Sequence, residues 1–424
     1  MKYLIIDGKK QSIPPFPHHK SFIYRCKHFF QAKSLYDQIT MSNFITVKEL
    51  IRGWRYKCSM PRVLLIDPTS ACNLHCKGCW ASDYAKGDHL TYDELDDILS
   101  QTEKLGIMDC LMTGGEPLLR KDDIIKLCIK HKKMTFGAFT NATLIDEAFA
   151  DEMARLGNLN VFISIEGTRE ETDERRGAGV YDKAIAAMDI LKSRGIGFAF
   201  SACYHSRNYQ TVASTGFLDM MRAKGAWFGW LFHYIPVGSD ADLSLVCTTE
   251  QRAYVQEEIM HYCSINDYVI IDFWNNGHLA FGCLAAGNGF VHINARGDVE
   301  PCAFCHYSDS NIHDVSLLDA LRSPFFTAFR KAQPFSKNPL RSCPLIDVPE
   351  AIEKVVIEGN AHSTHFSCPE SAHQLALKSH EKAKQWKDMS EALFLKMPEY
   401  TRKNFPVFLK YHAFKKHHTD GRRI

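Results

Sequence analysis

The chain lacks any apolar run approaching the eighteen or so residues that a membrane-spanning helix needs. Its N-terminus, Met-Lys-Tyr-Leu-Ile-Ile-Asp, has neither the apolar core nor the small-residue cleavage site of a secretory leader. It also has little net charge: 51 Lys and Arg against 49 Asp and Glu leave +2. There is thus no basic footprint for nucleic acid and no acidic tail. Cysteine, by contrast, is plentiful, at 15 residues. Without a leader, that number argues against a secreted disulfide scaffold and for thiolate ligands in a reducing cytosol. Cys58, Cys110, Cys128, Cys203 and Cys263 stand alone in apolar or helical stretches, the usual setting of a small buried hydrophobe.

With 424 residues, 45% of them hydrophobic, the chain can bury a large core. From Val63 onward, apolar strand-like runs alternate with helix-period segments. Strands are expected at Val63 to Ile66, Met108 to Met112, Thr135 to Phe139, Asn160 to Ile165, Gly197 to Cys203 and Trp227 to Ile235. Helices are expected between them, one opening at Thr91 with Glu94 completing a capping box and one running unbroken from Gln210 to Ala223. Such alternation predicts a parallel sheet with right-handed crossovers, its chemistry gathered at the C-terminal strand ends. Six units suit an incomplete barrel better than a closed barrel of eight.

The first expected strand opens into Asp67-Pro-Thr-Ser-Ala-Cys72-Asn-Leu-His-Cys76-Lys-Gly-Cys79-Trp80. The spacing C-x3-C-x2-C brings three thiolates onto one face of a compact loop. Three is one short of the Cys₄ set that closes an ordinary iron–sulfur cluster, so one iron of a cube would stay open to another ligand. A zinc site is the alternative, with His75 as a cramped fourth ligand. After the second strand comes Thr113-Gly114-Gly115-Glu116-Pro117, where paired glycines permit close backbone approach and a carboxylate can accept from an ammonium group.

Together these motifs resemble the radical S-adenosylmethionine (SAM) superfamily, over roughly Pro61 to Cys343. The resemblance implies an α/β chain with a partial (β/α)₆ TIM-like barrel and a small cysteine-rich C-terminal α+β extension. It implies a [4Fe–4S] cluster on Cys72, Cys76 and Cys79 whose free iron chelates SAM. An electron from the cluster then yields a 5′-deoxyadenosyl radical that abstracts hydrogen from an unactivated carbon. Gly114, Gly115, Glu116 and Pro117 would line the methionyl amino group, and Asn141, Ser164 and Glu166 would serve the ribose and the carboxylate. Arg176 would pair with that carboxylate. The family's residue before the third cysteine is usually aromatic; here it is Gly78, and Trp80 is the candidate to supply a flat surface near adenine. His205, Asn208, His233 and Tyr234 are candidate substrate contacts. No catalytic residue beyond these is evident.

Further on, Val291 to Ile293 and Val299 read as a hairpin turning at Ala295-Arg296-Gly297-Asp298, flanked by Cys283 and Cys302. This C-x13-G-x4-C pattern resembles the opening of SPASM and Twitch extensions, which carry auxiliary clusters. The expected ligands of one auxiliary [4Fe–4S] centre are Cys283, Cys302, Cys305 and Cys343, with Cys368 as substitute. Thr249 to Ser264 reads as a helix and Tyr268 to Phe273 as a strand. The expected division is an N-terminal extension (1–60), the barrel (61–240), the auxiliary domain (241–370) and a helical tail (371–424).

The resemblance implies a radical SAM oxidoreductase or maturase in the cytoplasm. It would take electrons from a low-potential donor such as flavodoxin or ferredoxin, and act on a peptide or small molecule. A lipid substrate is one alternative; a non-catalytic iron–sulfur or zinc protein on the same scaffold is the other. Aromatic–basic stretches, Phe22 to Phe30 and Phe405 to Tyr411 among them, could rest on an anionic membrane face, but such segments more often cover the sides of a barrel.

Overall fold

The computed structural model describes residues 3–6, 9–12, 51–82, 87–238, 241–280, 282–366, 368–397, 399 and 402. The aromatic–basic stretches 22–30 and 405–411 lie outside the described residues. No helix among those described is long and apolar enough to cross a membrane.

Parallel strands form the centre of the molecule: β1 (Val63–Ile66), β2 (Asp109–Met112), β3 (Thr135–Thr140), β4 (Leu159–Ser164), β5 (Phe198–Tyr204) and β6 (Ala226–His233). Each pairs in parallel with the next, β1 to β6 in chain order. All four residues of β1 are buried, as expected where both faces of a parallel sheet are covered. The helices between them start where local chemistry directs. Thr91 and Glu94 form the reciprocal capping box of α1 (Tyr92–Lys104), Asp146 caps α2 (Glu147–Leu156), and Thr168 with Glu171 caps α3 (Arg169–Arg176). The expected single helix from Gln210 to Ala223 is in fact two, Tyr209–Ala213 and Thr215–Lys224. Ser214 divides them: its backbone is extended, and its hydroxyl accepts from Phe217 N at 3.3 Å to cap the second.

The sheet does not stop at six strands. β7 (Val269–Asp272) adds in parallel beside β6, and β8 (Phe290–Ile293) adds in parallel beside β1. β9 (Val299–Glu300) turns back antiparallel on β8. The result is a nine-stranded sheet of order β9-β8-β1-β2-β3-β4-β5-β6-β7, curved but not closed. β8 holds β1 in register from Phe290 opposite Val63 to Ile293 opposite Ile66, and Asp67 N continues the ladder onto Ile293 O at 2.9 Å. The expected hairpin turn is present, with Gly297 at φ +85°, a conformation that favours glycine.

Two apolar layers result. One lies between the sheet and the outer helices. The other fills the concave side of the sheet and is rich in aromatic residues, Phe162, Phe228 and Trp230 among them. The C-terminal helix α4 (Ala372–Lys396) packs outside this core, where Trp386 donates to Leu340 O at 2.8 Å and stacks on the guanidinium of Arg252.

Candidate cofactor and substrate cavity

The loop that leaves β1 carries Cys72, Cys76 and Cys79, each partly buried and each lining one large cavity at the C-terminal ends of the strands. Backbone bonds from neighbouring elements shape the loop. Gly115 N donates to Thr69 O at 3.0 Å, Glu116 N to Ala71 O at 2.8 Å, and Lys77 N to Arg175 O at 2.8 Å. The double glycine after β2 has a steric reason. A Cβ on Gly115 would lie 2.0 Å from Ala71 O, and one on Gly114, at φ +93°, 2.7 Å from Thr69 O. Gly114 and Gly115 let the second loop lie directly on the cysteine loop.

Glu116 is buried and already engaged. Its carboxylate accepts from Leu118 N (3.0 Å), Thr140 Oγ1 (2.7 Å) and Asn141 N (2.8 Å). That takes three of about four lone-pair sites, so the side chain chiefly braces the loop ends. Pro117 opens a short 3₁₀ turn, and its ring is buried. Asn141 lines the cavity while its amide donates to Asn73 Oδ1 in the cysteine loop at 2.8 Å. Ser164 also lines the cavity.

Glu166 and Arg176, read from sequence as separate cofactor contacts, pair with each other. Arg176 Nε and Arg175 Nη1 each donate to Glu166 Oε1 at 2.7 Å, and Cys203 N donates to Oε2 at 2.9 Å. Burial works against ionising Glu166, but Arg175 and then Arg176 outweigh it and hold its carboxyl below the ordinary value. Arg175 and Cys203, which sequence reasoning did not single out for this site, also line the cavity, and Arg175 Nε is buried without a hydrogen-bond partner among the described residues. His205 and Asn208 serve the loop after β5 instead. Asn208 accepts from His205 N at 2.8 Å and donates to Glu166 O at 3.0 Å. His233 and Tyr234 do face the cavity.

Trp80 lines the cavity too, but its ring centroid lies 5.6 Å from Phe304 and 5.9 Å from His306, on the side of the second cysteine group. Gly78, at φ +63°, is overlaid by a different aromatic: a Cβ there would stand 2.6 Å from Tyr234 Cε2. Tyr234, 156 positions along the chain, thus presents its ring at the residue before Cys79. No local signal in the sequence reveals this.

The second group of cysteines lies beyond the β8–β9 hairpin and around it. Cys283, Cys302, Cys305 and Cys343 lie within electrostatic reach of one another, whereas Cys368 is exposed. Burial first, then its neighbours' charges, pushes the Cys302 thiol up to about 12, and burial lifts Cys283 to about 11. In the first group, burial likewise pushes Cys72 up to about 11, partly offset by Leu74 N, which donates to its sulfur at 3.4 Å. Thiols crowded and desolvated in this way suit a cationic group that takes them as thiolates. Among the described residues no three His, Cys, Asp or Glu side chains sit closely enough to hold a single metal ion. Cys302 also lines the main cavity, so both thiol groups reach one space.

Beneath both groups lies a buried network. His292 is fully enclosed, with Nε2 3.0 Å from Asp67 Oδ1 and Nδ1 2.6 Å from Glu300 Oε2, and Thr113 Oγ1 donates to Asp67 Oδ1 at 2.7 Å. It ties the bases of the cysteine loop, the Gly-Gly loop and the β8–β9 hairpin together.

The chain matches the model of the Radical SAM superfamily over residues 66–215 and that of an iron–sulfur cluster-binding domain, SPASM, over residues 283–344. A stretch of 146 residues is 32% identical to an uncharacterized protein of Archaeoglobus fulgidus, covering 34% of this chain and 35% of that protein. Over 309 residues the chain is 24% identical to a PqqA peptide cyclase of Granulibacter bethesdensis, covering 67% of this chain and 79% of the relative. It is equally similar to an AdoMet-dependent heme synthase of Oleidesulfovibrio alaskensis, at 24% over 309 residues, 65% of this chain and 78% of the relative. Its fold is similar to that of SuiB of Streptococcus suis bound to SAM, with a TM-score of 0.55, 19% identity, and coverage of 68% of this chain and 71% of that one. The chain belongs to the radical SAM superfamily and carries a SPASM domain, an enzyme class that uses a SAM-binding [4Fe–4S] cluster together with auxiliary iron–sulfur centres.

Proposed function

We propose that this enzyme cleaves SAM reductively at the Cys72–Cys76–Cys79 centre and modifies a peptide at an unactivated carbon. The electron released by the substrate would pass to a single auxiliary cluster on Cys283, Cys302, Cys305 and Cys343. The observation that carries the reading is the shared cavity: an incomplete set of three thiols and Cys302 of a four-thiol set line the same space. When bound, SAM and its cluster supply a 5′-deoxyadenosyl radical that can take hydrogen from carbon.

The chain's own residues would orient and shield. Backbone groups of Gly114 to Glu116 would face the methionyl amino group, with Arg175 and Arg176 on the carboxylate side. Asn141 and Ser164 would stand near the ribose, and Tyr234, lying over Gly78, would take the adenine face assigned above to Trp80. The buried aromatic floor would keep water from the radical. A peptide substrate is supported by the PqqA peptide cyclase relative and by SuiB, whose structure was also solved bound to its precursor peptide SuiA. A low-potential flavodoxin or ferredoxin in the cytoplasm is the proposed donor.

The heme synthase relative favours a second reading, a tetrapyrrole substrate. Propionate carboxylates want cationic partners, yet the charged residues that line the cavity are Glu116, Arg175 and Arg176, all on the cysteine side. This distribution makes the peptide reading the stronger one.

The test is anaerobic reconstitution, iron and sulfide counting, and detection of 5′-deoxyadenosine after dithionite addition. Two clusters per chain and SAM cleavage abolished by Cys76→Ala are expected. Protein that holds zinc without labile sulfide, or that never cleaves SAM, would refute the proposal.

A further inference from the structure

The large cavity has two chemically different halves. Polar groups crowd the cysteine side, as described. The opposite half is walled by Phe139, Trp230, Phe232, Phe273, Phe290 and Phe304. These rings are arranged as a continuous lining rather than as scattered contacts. Trp230 stacks on Phe232 (centroids 5.6 Å apart, planes 15° apart) and meets Phe139 edge-on at 5.6 Å. Phe232 also lies 5.8 Å from Phe273 and 6.1 Å from Phe304, and Phe273 stacks on Phe290 at 5.9 Å across the open edge of the sheet, where β7 and β8 do not pair.

Phe139, Phe232, Phe273 and Phe304 are only partly buried, although they sit inside the molecule. Apolar surface left facing a cavity is costly unless something apolar covers it. No charged side chain lines this half, so an ammonium or carboxylate entering it would be desolvated without a partner. The polar and the aromatic groups line one continuous cavity, so a group seated among the rings shares its space with the cysteine loop.

We infer that the part of the substrate held in the aromatic half of this cavity is an uncharged hydrophobic side chain of a peptide, aromatic or branched aliphatic, seated among these rings. The assignment rests on the proposed function above and narrows it. Stacked and edge-on rings would grip either a flat or a branched apolar group, while Trp80 and Phe304 at the border would hold it next to Cys302.

The reconstituted holoenzyme with SAM and no reductant is tested by equilibrium dialysis against N-acetylated amino-acid amides. N-acetyl-phenylalaninamide and N-acetyl-leucinamide are expected to bind at least tenfold more tightly than the lysine and aspartate analogues. Phe273→Ala is expected to weaken the phenylalanine amide about tenfold, and the milder Phe273→Leu about threefold, with iron content and SAM binding unchanged. Equal binding of the charged amides, or no effect of either substitution, overturns the inference. So does binding of coproporphyrin or decanol where the amides fail, since that assigns the rings to another substrate class. Loss of SAM binding or iron in the unsubstituted sample instead overturns the enzyme reading, and the inference with it.

Discussion

Replacing Glu166 with glutamine isolates the charge at the base of the cofactor side. Glu166 is 0% exposed, and its partners Arg175 and Arg176 expose only 9% and 12% of their side chains. Glutamine keeps the volume and an oxygen for Cys203 N, but leaves two buried guanidiniums without a counter-charge. Breaking such a pair typically costs about 3–5 kcal/mol, a large share of a domain's net stability. Alanine also removes the bond from Cys203 N and should cost about 1 kcal/mol more. Because Lys77 N bonds to Arg175 O, the loss should reach the cysteine loop and loosen its iron.

The sign of the pH dependence follows from the same contacts. The folded pKa of Glu166 is depressed, so its stabilisation is full above the ordinary glutamate value and is lost as pH falls through the lower folded one. Urea unfolding of wild type and Glu166→Gln, followed by circular dichroism under anaerobic conditions, should show a wide gap at neutral pH that narrows on acidification. A gap below about 0.5 kcal/mol at pH 7, or one that widens in acid, would refute the reasoning.

Other perturbations separate the remaining parts. Gly115→Ala should drive the two loops apart and strip iron from the first centre while the second keeps its own, as read by iron counting and electron paramagnetic resonance. Gly78→Phe alone should collide with Tyr234 and weaken SAM binding tenfold or more; adding Tyr234→Ala should restore it to within about threefold, and failure to recover would remove Tyr234 from the adenine side. Cys343→Ser should lose auxiliary iron, whereas Cys368→Ser should retain it. Burial opposes charge on His292, but Asp67 and Glu300 overcome it and raise its pKa from 6.5 to about 10, so its contribution is full below about pH 6.5 and lost as pH climbs towards 10. His292→Gln should flatten that alkaline loss in thermal melts.

Local signals in the sequence carried much of this structure. The cysteine spacing, the glycine pair at a strand end and the capping box at Thr91 each announce themselves within a few residues. The strands at 269–272 and 290–293 were legible as strands, but not as neighbours of β6 and β1, because the pairing of β8 with β1 joins residues more than 220 positions apart. Tyr234 over Gly78 escaped notice for the same reason. Glu166 and Arg176 differ in another way. Both sit near a cofactor face, and only the fold reveals that they satisfy each other first. Trp80, adjacent to Cys79 in sequence, turns towards Phe304 because the hairpin supplies an aromatic neighbour that no local pattern encodes.

The strand that precedes the first cysteine loop finds one of its two neighbours only after residue 290. A chain emerging from the ribosome therefore carries β1 with a bare hydrogen-bonding edge for most of its synthesis. The cysteine loop reaches its final support late, when Asp67 N meets Ile293 O. The first cysteine loop is accordingly expected to take its cluster only after β8 has been made, and truncations before β8 should aggregate rather than yield a smaller working enzyme.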